Sequence, residues 1–346
     1  MLTVLSVAYS HAPVGPDAVG GAEQVLSILD AALTEAGHRS IVIGCEGSRC
    51  RGKLVAIPRV PGLIDDSSRA QARAAVRTAI ARVIRTASVD VIHMHGFDFA
   101  EVLPVAGVPV LVTLHLPPGW YRRDALHPTR PDTWLHCVSA SQHAACPQSP
   151  YLLPPIANGV ELHSFGPPQP PRAAAVMLGR ICPEKGQHLA LWAAHAAGVP
   201  LVVAGQTFGY PEHIAYLESE VRPRLDADRC LMGPVGGEAK RRLLAQARCV
   251  LIPSLAPETS SLVAMEALAS GTPVIAFPSG ALAEIVEDGL TGFLARDVEE
   301  MAERISDVAR IDSATCRDAA EGRFDAGRMI ASHFERYRLI AARMAA

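Results

Sequence analysis

The chain has 346 residues, a hydrophobic fraction of 49%, a charged fraction of 19% and a formal net charge of −3. This composition excludes disorder over most of the length, because a disordered chain carries too little apolar surface to offset the entropy of ordering. The small net charge gives no indication of a nucleic acid partner or of binding to an anionic membrane surface. At roughly 150 residues per domain, the length favours two domains over one.

The eight cysteines are scattered, without a Cys-x-x-Cys pair or a Cys/His cluster at zinc-finger spacing. We therefore expect neither a metal site nor a disulfide framework, and free thiols suit a reducing cytoplasm. The N-terminus lacks a basic leader, so no signal peptide is predicted. No apolar stretch of about 18 residues is present, which predicts no transmembrane helix.

Short β-branched runs alternate with helical segments, a pattern typical of βαβ units and parallel sheets. In the first half, strands are predicted over residues 2–8, 40–44, 54–57, 89–94, 108–114 and 134–138. Helices are predicted over residues 21–36, ended by Gly37, and over residues 69–86.

A proline-rich segment over residues 165–171 interrupts this alternation and is the predicted domain boundary. We expect a first domain of residues 1–166, with a C-terminal helix over residues 325–346 packing back on it, and a second domain of residues 173–324. The second domain has predicted strands at 175–178, 200–204, 230–232, 250–252 and 273–276, and predicted helices at 186–197, 211–225, 237–247 and 260–270. The fold class is therefore α/β, with two Rossmann-like domains.

Ligand clefts of parallel α/β domains lie at the carboxyl ends of the strands, so the residues that follow strands are candidates for function. Gly20 and Gly21 open a helix after the first strand, where backbone N–H groups can approach an anion. A plain tight turn explains the same two glycines equally well. The chain has no Gly-x-Gly-x-x-Gly pattern, which argues against a nicotinamide enzyme.

Two cations, Arg180 and Lys185, share one predicted strand-to-helix loop. Arginine offers a planar fork and lysine a point charge, and together they suit a diphosphate. Taken alone, a basic loop is more often a solvated turn. The interpretation of these two cations therefore depends on a further segment, which follows the predicted strand at 250–252.

Glu258 and Glu266 follow the predicted strand at 250–252, and their spacing of about 2.2 helical turns places them on one helix face. Glu266 lies among apolar residues in the sequence. Because an unpaired buried carboxylate is costly, we expect Glu266 to have a polar partner.

These elements, in this order, resemble the retaining nucleotide-sugar glycosyltransferases of family 4. The resemblance covers most of the chain, and further matching residues are His115, 138–141, 158–161, 269–276 and 289–294. It implies the GT-B fold, in which two Rossmann-like parallel-sheet domains face each other across a cleft.

The resemblance also implies the catalytic residues, Arg180, Lys185, Glu258 and His115. Arg180 and Lys185 are expected to bind the donor diphosphate and to stabilise charge on the leaving nucleoside diphosphate. Glu258 is expected to contact the transferred sugar, and His115 to lie near its anomeric centre or 6-position. Glu266 is expected to accept hydrogen bonds from the ribose.

The remaining donor contacts implied by the resemblance are backbone groups. The N–H groups of Ser261 and Leu262 are expected to hold a phosphate, with Gly20 and Gly21 contributing from the first domain. The loop at Val235 is expected to lie against the base. The family commonly has a Phe-Gly pair where this chain has Ser260 and Ser261, so the contact geometry there is open.

The implied reaction moves a hexose from a nucleotide diphosphate sugar to an acceptor hydroxyl with retention, by a front-face route. UDP-sugar is the preferred donor and UDP-glucose the first choice. No cofactor or metal is required, because Arg180, Lys185 and two helix N-termini supply positive charge. A glycan, a lipid-linked or a small-molecule acceptor fits equally well, and loops at 10–19, 96–101 and 117–127 are expected to shape its site.

Two other functions stay open: an epimerase acting on UDP-N-acetylhexosamines, and a nucleotide-sugar-binding protein without catalysis. An epimerase changes the sugar in the absence of an acceptor, whereas a binding protein changes nothing.

Three clusters have plainer interpretations. His93 and His95 favour a structural or acceptor-side role over a metal site. The stripe of Arg69, Arg73 and Arg77 favours a solvated or partly packed helix over a peripheral membrane contact. The basic run at 240–242 is interpreted as helix surface.

Overall fold

The computed structural model describes residues 1–170 and 173–343. Pro171, in the proline-rich segment, and the last three residues of the predicted C-terminal helix lie outside the described residues. The chain divides into two compact units. The first comprises residues 1–158 and the C-terminal segment from Arg328, and the second comprises residues 159–327.

The first unit contains a seven-stranded parallel sheet in the order β3-β2-β1-β4-β5-β6-β7. Its strands are β1 (Thr3–Val7), β2 (Arg39–Cys45), β3 (Lys53–Ile57), β4 (Val91–Met94), β5 (Val110–Leu114), β6 (Thr133–Cys137) and β7 (Leu152–Leu153). Its helices are α1 (Gly21–Glu35), α2 (Asp66–Thr86) and α3 (Ala140–Ala145).

The second unit contains a six-stranded parallel sheet in the order β10-β9-β8-β11-β12-β13. Its strands are β8 (Ala175–Leu178), β9 (Leu201–Ala204), β10 (Arg229–Gly233), β11 (Val250–Ile252), β12 (Val274–Ala276) and β13 (Gly292–Leu294). Its helices are α4 (Gln187–Ala196), α5 (Pro211–Tyr216), α6 (Gly237–Ala245), α7 (Leu262–Ala269), α8 (Leu282–Ile285), α9 (Val298–Asp307) and α10 (Ser313–Arg323). The final helix, α11, spans Ala326–Arg343.

Every predicted strand is present, and the α/β class with two parallel sheets is confirmed. The central strands are buried on both faces, which explains why they appear in the sequence as continuous apolar runs. The edge strands β7 and β13 were not predicted, because two or three residues carry too little pattern. The helix predicted over residues 211–225 is divided: α5 continues as a π-helix, Leu217–Val221, and a 3-10 turn that contains Pro223.

The C-terminal helix contributes to the core of the first unit. Tyr337 and Ile340 are buried against Val4, Leu111 and Trp134. Full burial of one large apolar side chain stabilises a fold by about 1.5–3 kcal/mol. This packing therefore fastens the end of α11 to the sheet of the first unit.

Two distant segments of the second unit pair with each other where the chain enters and leaves it. The Val160 N–H donates to the Phe324 carbonyl at 2.8 Å, and the Ala326 N–H donates to the Val160 carbonyl at 3.0 Å. This pairing assigns the residues from Gly159 onward to the second unit, ahead of the proline-rich segment. A Cβ atom on Gly159 would lie only 2.8 Å from the Ala326 Cα, so the close approach requires glycine.

Replacing Gly159 by alanine is expected to destabilise the second unit by about 1–3 kcal/mol, because the added methyl group forces two backbone segments apart. Differential scanning calorimetry measures the effect as a fall of several degrees in melting temperature. Gly322→Ala is the matched control. A Cβ there meets no atom within 4 Å, and alanine favours the interior of α10, so the melting temperature should rise slightly. Equal melting temperatures in the two variants would contradict the assignment.

Four histidines lie in the interior of the first unit: His93, His95, His136 and His333, each at most 3% exposed. Burial lowers the pKa of each imidazole, and repulsion from neighbouring imidazoles lowers those of His93, His95 and His136 further. The pKa of His333 falls to about 4. All four rings are therefore neutral at physiological pH.

The free energy of unfolding of the first unit is expected to fall as the pH drops from 7 to 5. The folded-state pKa of each buried histidine lies below 6.5, so the unfolded state binds more protons in this range. The loss amounts to at most about 1.4 kcal/mol per pH unit for each histidine. Urea unfolding at a series of pH values measures the slope, and His333→Leu should reduce it. A free energy that stays constant or rises between pH 7 and pH 5 would contradict the prediction.

Candidate functional site

The loop that carries Arg180 and Lys185 is fastened to the segment after β11. The N–H of Leu255 donates to the Glu184 carbonyl at 2.8 Å. Gly186 ends the loop at φ +70°, and a Cβ there would lie 2.3 Å from the Pro253 carbonyl oxygen. Only glycine permits this approach, and it brings Lys185 towards the residues that precede α7.

Lys185 forms an ion pair with Glu258. The Lys185 Nζ lies 2.5 Å from the Glu258 Oε1, and the Ser254 hydroxyl donates to the same oxygen. The Glu258 side chain is 9% exposed and the Lys185 side chain is 29% exposed. Two of the predicted catalytic residues are thus in direct contact.

Gly280 fixes the backbone of Glu258, and sequence reasoning missed it. The N–H of Ala281 donates to the Glu258 carbonyl at 2.7 Å. Gly280 adopts φ +60°, and a Cβ there would meet the Glu258 oxygen at 2.2 Å. The only signal in the sequence was a glycine between β12 and α8, which is common in turns.

Arg180 lies on the same loop as Lys185, as predicted. Its guanidinium group lies 5.7 Å from the centre of the Phe208 ring, and its carbonyl accepts a hydrogen bond from the Gln187 side chain at 2.7 Å. The ring and the main-chain hydrogen bond restrict the arginine at both ends. The loop therefore presents two oriented cations.

Glu266 has the polar partner that the sequence predicted. The Lys240 Nζ lies 2.6 Å from its Oε1, and the two side chains are 13% and 6% exposed. Burial raises the pKa of Glu266, and the attraction of Lys240 opposes that rise. The interpretation of Lys240 as helix surface is wrong, because α6 packs beside α7 and turns this lysine inward. The two residues are far apart in the sequence, so no local pattern could pair them.

Ser261 is the N-cap of α7, and its hydroxyl accepts the Ala264 N–H at 3.4 Å. Its φ of −124° is open to any residue, so the serine at the family's glycine position causes no backbone strain. Leu262 begins the helix, two residues after the predicted start. The Ser260 hydroxyl is buried and has no hydrogen-bond partner among the described residues.

Val235 lies, partly exposed, on the loop between β10 and α6. Gly20 is the N-cap of α1, and a Cβ there would meet the Glu23 Oε2 at 1.9 Å. The buried Glu23 carboxylate thus already places a negative charge at this helix end. The anion contact at Gly20 and Gly21 stays a prediction.

His115 follows β5 in the first unit. The Gln142 side-chain amide donates to the carbonyls of Leu114 and Leu116, at 2.8 and 2.9 Å, and so fixes the backbone on both sides of it. The His115 Nε2 lies 3.0 Å from the His95 Nδ1, and the two rings stack at 5.3 Å. Burial lowers the pKa of His115 to about 3, so the ring is neutral at physiological pH.

A small cavity opens at the carboxyl ends of β1 and β4, lined in part by Ser10, Gly96 and Asp98. It brings together two of the three loops predicted to shape the acceptor site. The Ser10 hydroxyl and the His11 Nε2 are buried without a hydrogen-bond partner among the described residues. These unpaired groups suit the recognition of a polar ligand.

The arginine stripe on α2 is partly packed, as predicted. The Arg73 guanidinium lies 2.9 Å from the Glu101 carboxylate, and Arg77 donates to the Glu101 carbonyl at 3.0 Å. These contacts turn both arginines towards the 3-10 turn Phe99–Glu101. None of the helices within the described ranges combines the length and the apolar character needed to span a bilayer.

Two clusters have side chains of a type that binds metals: His93, His136 and His333, and Cys182, Glu184 and His213. The three imidazoles of the first cluster are buried. In the second cluster, burial raises the pKa of the Cys182 thiol to about 11. That the protein requires no metal stays a prediction.

Two family models match the chain: "Glycosyltransferase Family 4" over residues 19–149 and "Glycosyl transferases group 1" over residues 172–310. A D-inositol 3-phosphate glycosyltransferase of Mycobacterium avium is 34% identical over 170 residues, which cover 44% of this chain. The match covers 39% of that relative, so the chain spans less than half the length of the curated relative.

Solved structures match almost the whole chain. AviGT4, a glycosyltransferase involved in avilamycin A biosynthesis, has a TM-score of 0.70 and 25% identity, over 99% of this chain and 98% of that one. Anabaena HepE, in complex with UDP and glucose, has a TM-score of 0.75 and 19% identity, over 97% and 99%. With its two parallel sheets and the ordered set of Arg180, Lys185, Glu258 and Glu266, the chain belongs to glycosyltransferase family 4 and has the two-domain GT-B fold.

Proposed function

We propose that the protein transfers a hexose from a nucleotide diphosphate sugar to an acceptor hydroxyl, with retention of configuration. The observation that carries the proposal is the Lys185–Glu258 ion pair. Within one unit, it joins the loop expected to bind the diphosphate to the carboxylate expected to contact the sugar. UDP-sugar is the preferred donor and UDP-glucose the first to test. The UDP and glucose bound by HepE support that choice of donor.

Arg180 and Lys185 bind the diphosphate in this proposal. Lys185 is partly exposed on the loop between β8 and α4, and the helix N-terminus at Ser261 and Leu262 belongs to the same unit. The lysine and the helix N-terminus supply positive charge for the leaving nucleoside diphosphate. The negative charge of this group grows as the sugar–oxygen bond breaks. Transfer by these groups requires no metal.

Glu266 binds the ribose hydroxyls. The Lys240 ammonium group, 2.6 Å away, opposes the rise in the pKa of Glu266 that burial causes. An ionised carboxylate has two acceptor oxygens, which match two neighbouring hydroxyl donors. Val235, on the loop after β10, lies against the base.

Glu258 contacts the transferred sugar through its carboxylate. Its backbone is fixed by Gly280 and Ala281, and its Oε1 by Lys185 and Ser254. In the front-face reaction, the bond from the anomeric carbon to the phosphate oxygen breaks, and the bond to the acceptor oxygen forms on the same face. The acceptor proton passes to the leaving phosphate oxygen. His115, which is neutral, lies near the sugar as a hydrogen-bonding group.

The acceptor is proposed to bind at the loops that follow β1 and β4, which carry Ser10 and Asp98. The mycobacterial relatives are named for inositol 3-phosphate, so a phosphorylated polyol is the first acceptor to test. A sugar altered without any acceptor would indicate the epimerase instead, and binding without turnover would indicate a silent nucleotide-sugar-binding protein.

A thermal-shift panel of UDP, GDP, ADP, dTDP and NAD, with and without magnesium, tests the donor site. We expect one nucleoside diphosphate to stabilise the protein, by about 2.7 kcal/mol at 100 times its dissociation constant, irrespective of magnesium. Lys185→Ala should weaken its binding by roughly 10- to 150-fold, since a hydrogen bond to a charged group contributes about 1.5–3 kcal/mol. Lys53→Ala, an exposed lysine of the first unit, is the control. A shift with NAD alone would refute the proposal.

Glu266→Gln is expected to weaken UDP binding by roughly 10-fold or more while leaving inorganic pyrophosphate binding unchanged, because pyrophosphate has no ribose. Isothermal titration calorimetry with both ligands separates the two contacts. Glu238→Gln, on the exposed side of α6, is the control and should alter neither affinity. Equal losses for UDP and pyrophosphate would place Glu266 at the phosphates instead.

A further inference from the structure

Four histidines of the first unit, His136, His93, His95 and His115, form with Thr113 one continuous chain of hydrogen bonds that ends at His115. We propose that His95 is a positioning residue for the transfer reaction, which holds His115 as the tautomer protonated at Nε2. The importance of His115 rests on the proposed function, whereas its tautomer follows from the hydrogen bonds alone.

The direction of donation along this chain of hydrogen bonds is set at its inner end, at His136. The His136 Nδ1 lies 3.1 Å from the carbonyl oxygen of Cys137, which can only accept. A neutral His136 therefore carries its proton on Nδ1 and a lone pair on Nε2. The Thr113 hydroxyl, 2.7 Å from that Nε2, must donate its proton to it.

The Thr113 hydroxyl group fixes the tautomer of His93. Thr113 has one hydroxyl proton and gives it to His136, so it can only accept from His93, whose Nε2 lies 2.7 Å away. His93 therefore carries its proton on Nε2 and a lone pair on Nδ1. The Tyr337 hydroxyl, at 2.7 Å, is directed at that lone pair and donates to it.

His95 connects His93 to His115, the last histidine of the hydrogen-bond chain. The His95 Nε2 lies 3.2 Å from the same His93 Nδ1, and a proton on it avoids opposing two lone pairs at that distance. The single lone pair of His93 is then shared by two donors, the Tyr337 hydroxyl at 2.7 Å and the more distant His95 N–H. His95 then has its lone pair on Nδ1. The His115 Nε2, 3.0 Å away, donates to that lone pair. The lone pair of His115 is consequently on Nδ1.

These tautomers require neutral rings, and the surroundings enforce neutrality. His93, His95 and His136 are each at most 3% exposed. Within the described ranges, the hydrogen bonds of these rings involve a carbonyl, two hydroxyls and other imidazoles, and no carboxylate. An imidazolium there would be a buried charge without a counter-ion.

The consequence for the reaction is that His115 presents an acceptor nitrogen, not a donor. Its Nδ1 accepts a hydrogen bond from a hydroxyl group of the donor sugar or of the acceptor and so orients that hydroxyl. The proton released in transfer still goes to the leaving phosphate oxygen. His95 touches neither substrate and acts only by keeping the His115 proton on Nε2.

Two amide variants of His95 separate its two hydrogen bonds. The carbonyl oxygen of an asparagine lies near the position of the histidine Nδ1, whereas the amide nitrogen of a glutamine lies near that of Nε2. His95→Asn therefore keeps the acceptor for His115, and His95→Gln keeps only the donor for His93. We expect kcat to stay within about threefold of wild type in the Asn variant and to fall by roughly 10- to 100-fold in the Gln variant, with KM for the nucleotide sugar unchanged. Equal kcat values in the two variants would overturn the role of His95.

The tautomers are measured directly in the wild-type chain, so the test does not depend on the folding of a variant. Nitrogen-15 NMR shifts of selectively labelled histidines should show His93, His95 and His115 protonated at Nε2, and His136 at Nδ1. Protonation of His115 at Nδ1 would refute the inference, whether or not the enzyme transfers sugar. The predicted tautomers in a protein inactive with every nucleotide sugar would uphold the hydrogen-bond chain and overturn the proposed function.

Discussion

A carboxylate inside a protein costs several kcal/mol unless a positive group accompanies it, and the second unit holds two such carboxylates. Glu258 and Glu266 are at most 9% exposed, and each has a lysine within hydrogen-bonding distance. The chain has only three lysines, so two of the three are used in these pairs. This requirement for charge balance positions the loop after β8, the helix α6 and the helix α7 relative to one another.

The first unit buries the carboxylates of Glu23 and Asp30, but the polar cluster that leads to His115 contains no ion. Its imidazoles stay neutral and are joined through hydrogen bonds, with Thr113 and Tyr337 completing the set. A neutral network avoids the desolvation penalty of a charge, and it has a direction, because each ring that donates at one nitrogen must accept at the other. The unit thereby transmits a constraint from the Cys137 carbonyl to His115.

The sequence predicted the parallel sheets because short β-branched runs alternate with helical segments, and it predicted that Glu266 needs a partner because burial of a carboxylate has a known cost. It could not name Lys240, since that contact depends on how α6 packs against α7. Gly280 was hidden for a similar reason: its φ and its approach to the Glu258 carbonyl exist only once β12 and the segment after β11 lie side by side. The histidine chain likewise joins three neighbouring strands with α11.

The two ion pairs differ in exposure, and the difference separates the roles of the two lysines. Lys240 is 13% exposed and lies beside a Glu266 at 6%, so its contact with this carboxylate supports Glu266. Lys185 is 29% exposed beside a Glu258 at 9%, so it is the more accessible of the two lysines. A lysine with three N–H donors can keep one on the carboxylate and offer the others to a diphosphate. The lysine that stabilises the loop can therefore also bind the donor, and ligand binding need not break the pair that positions it.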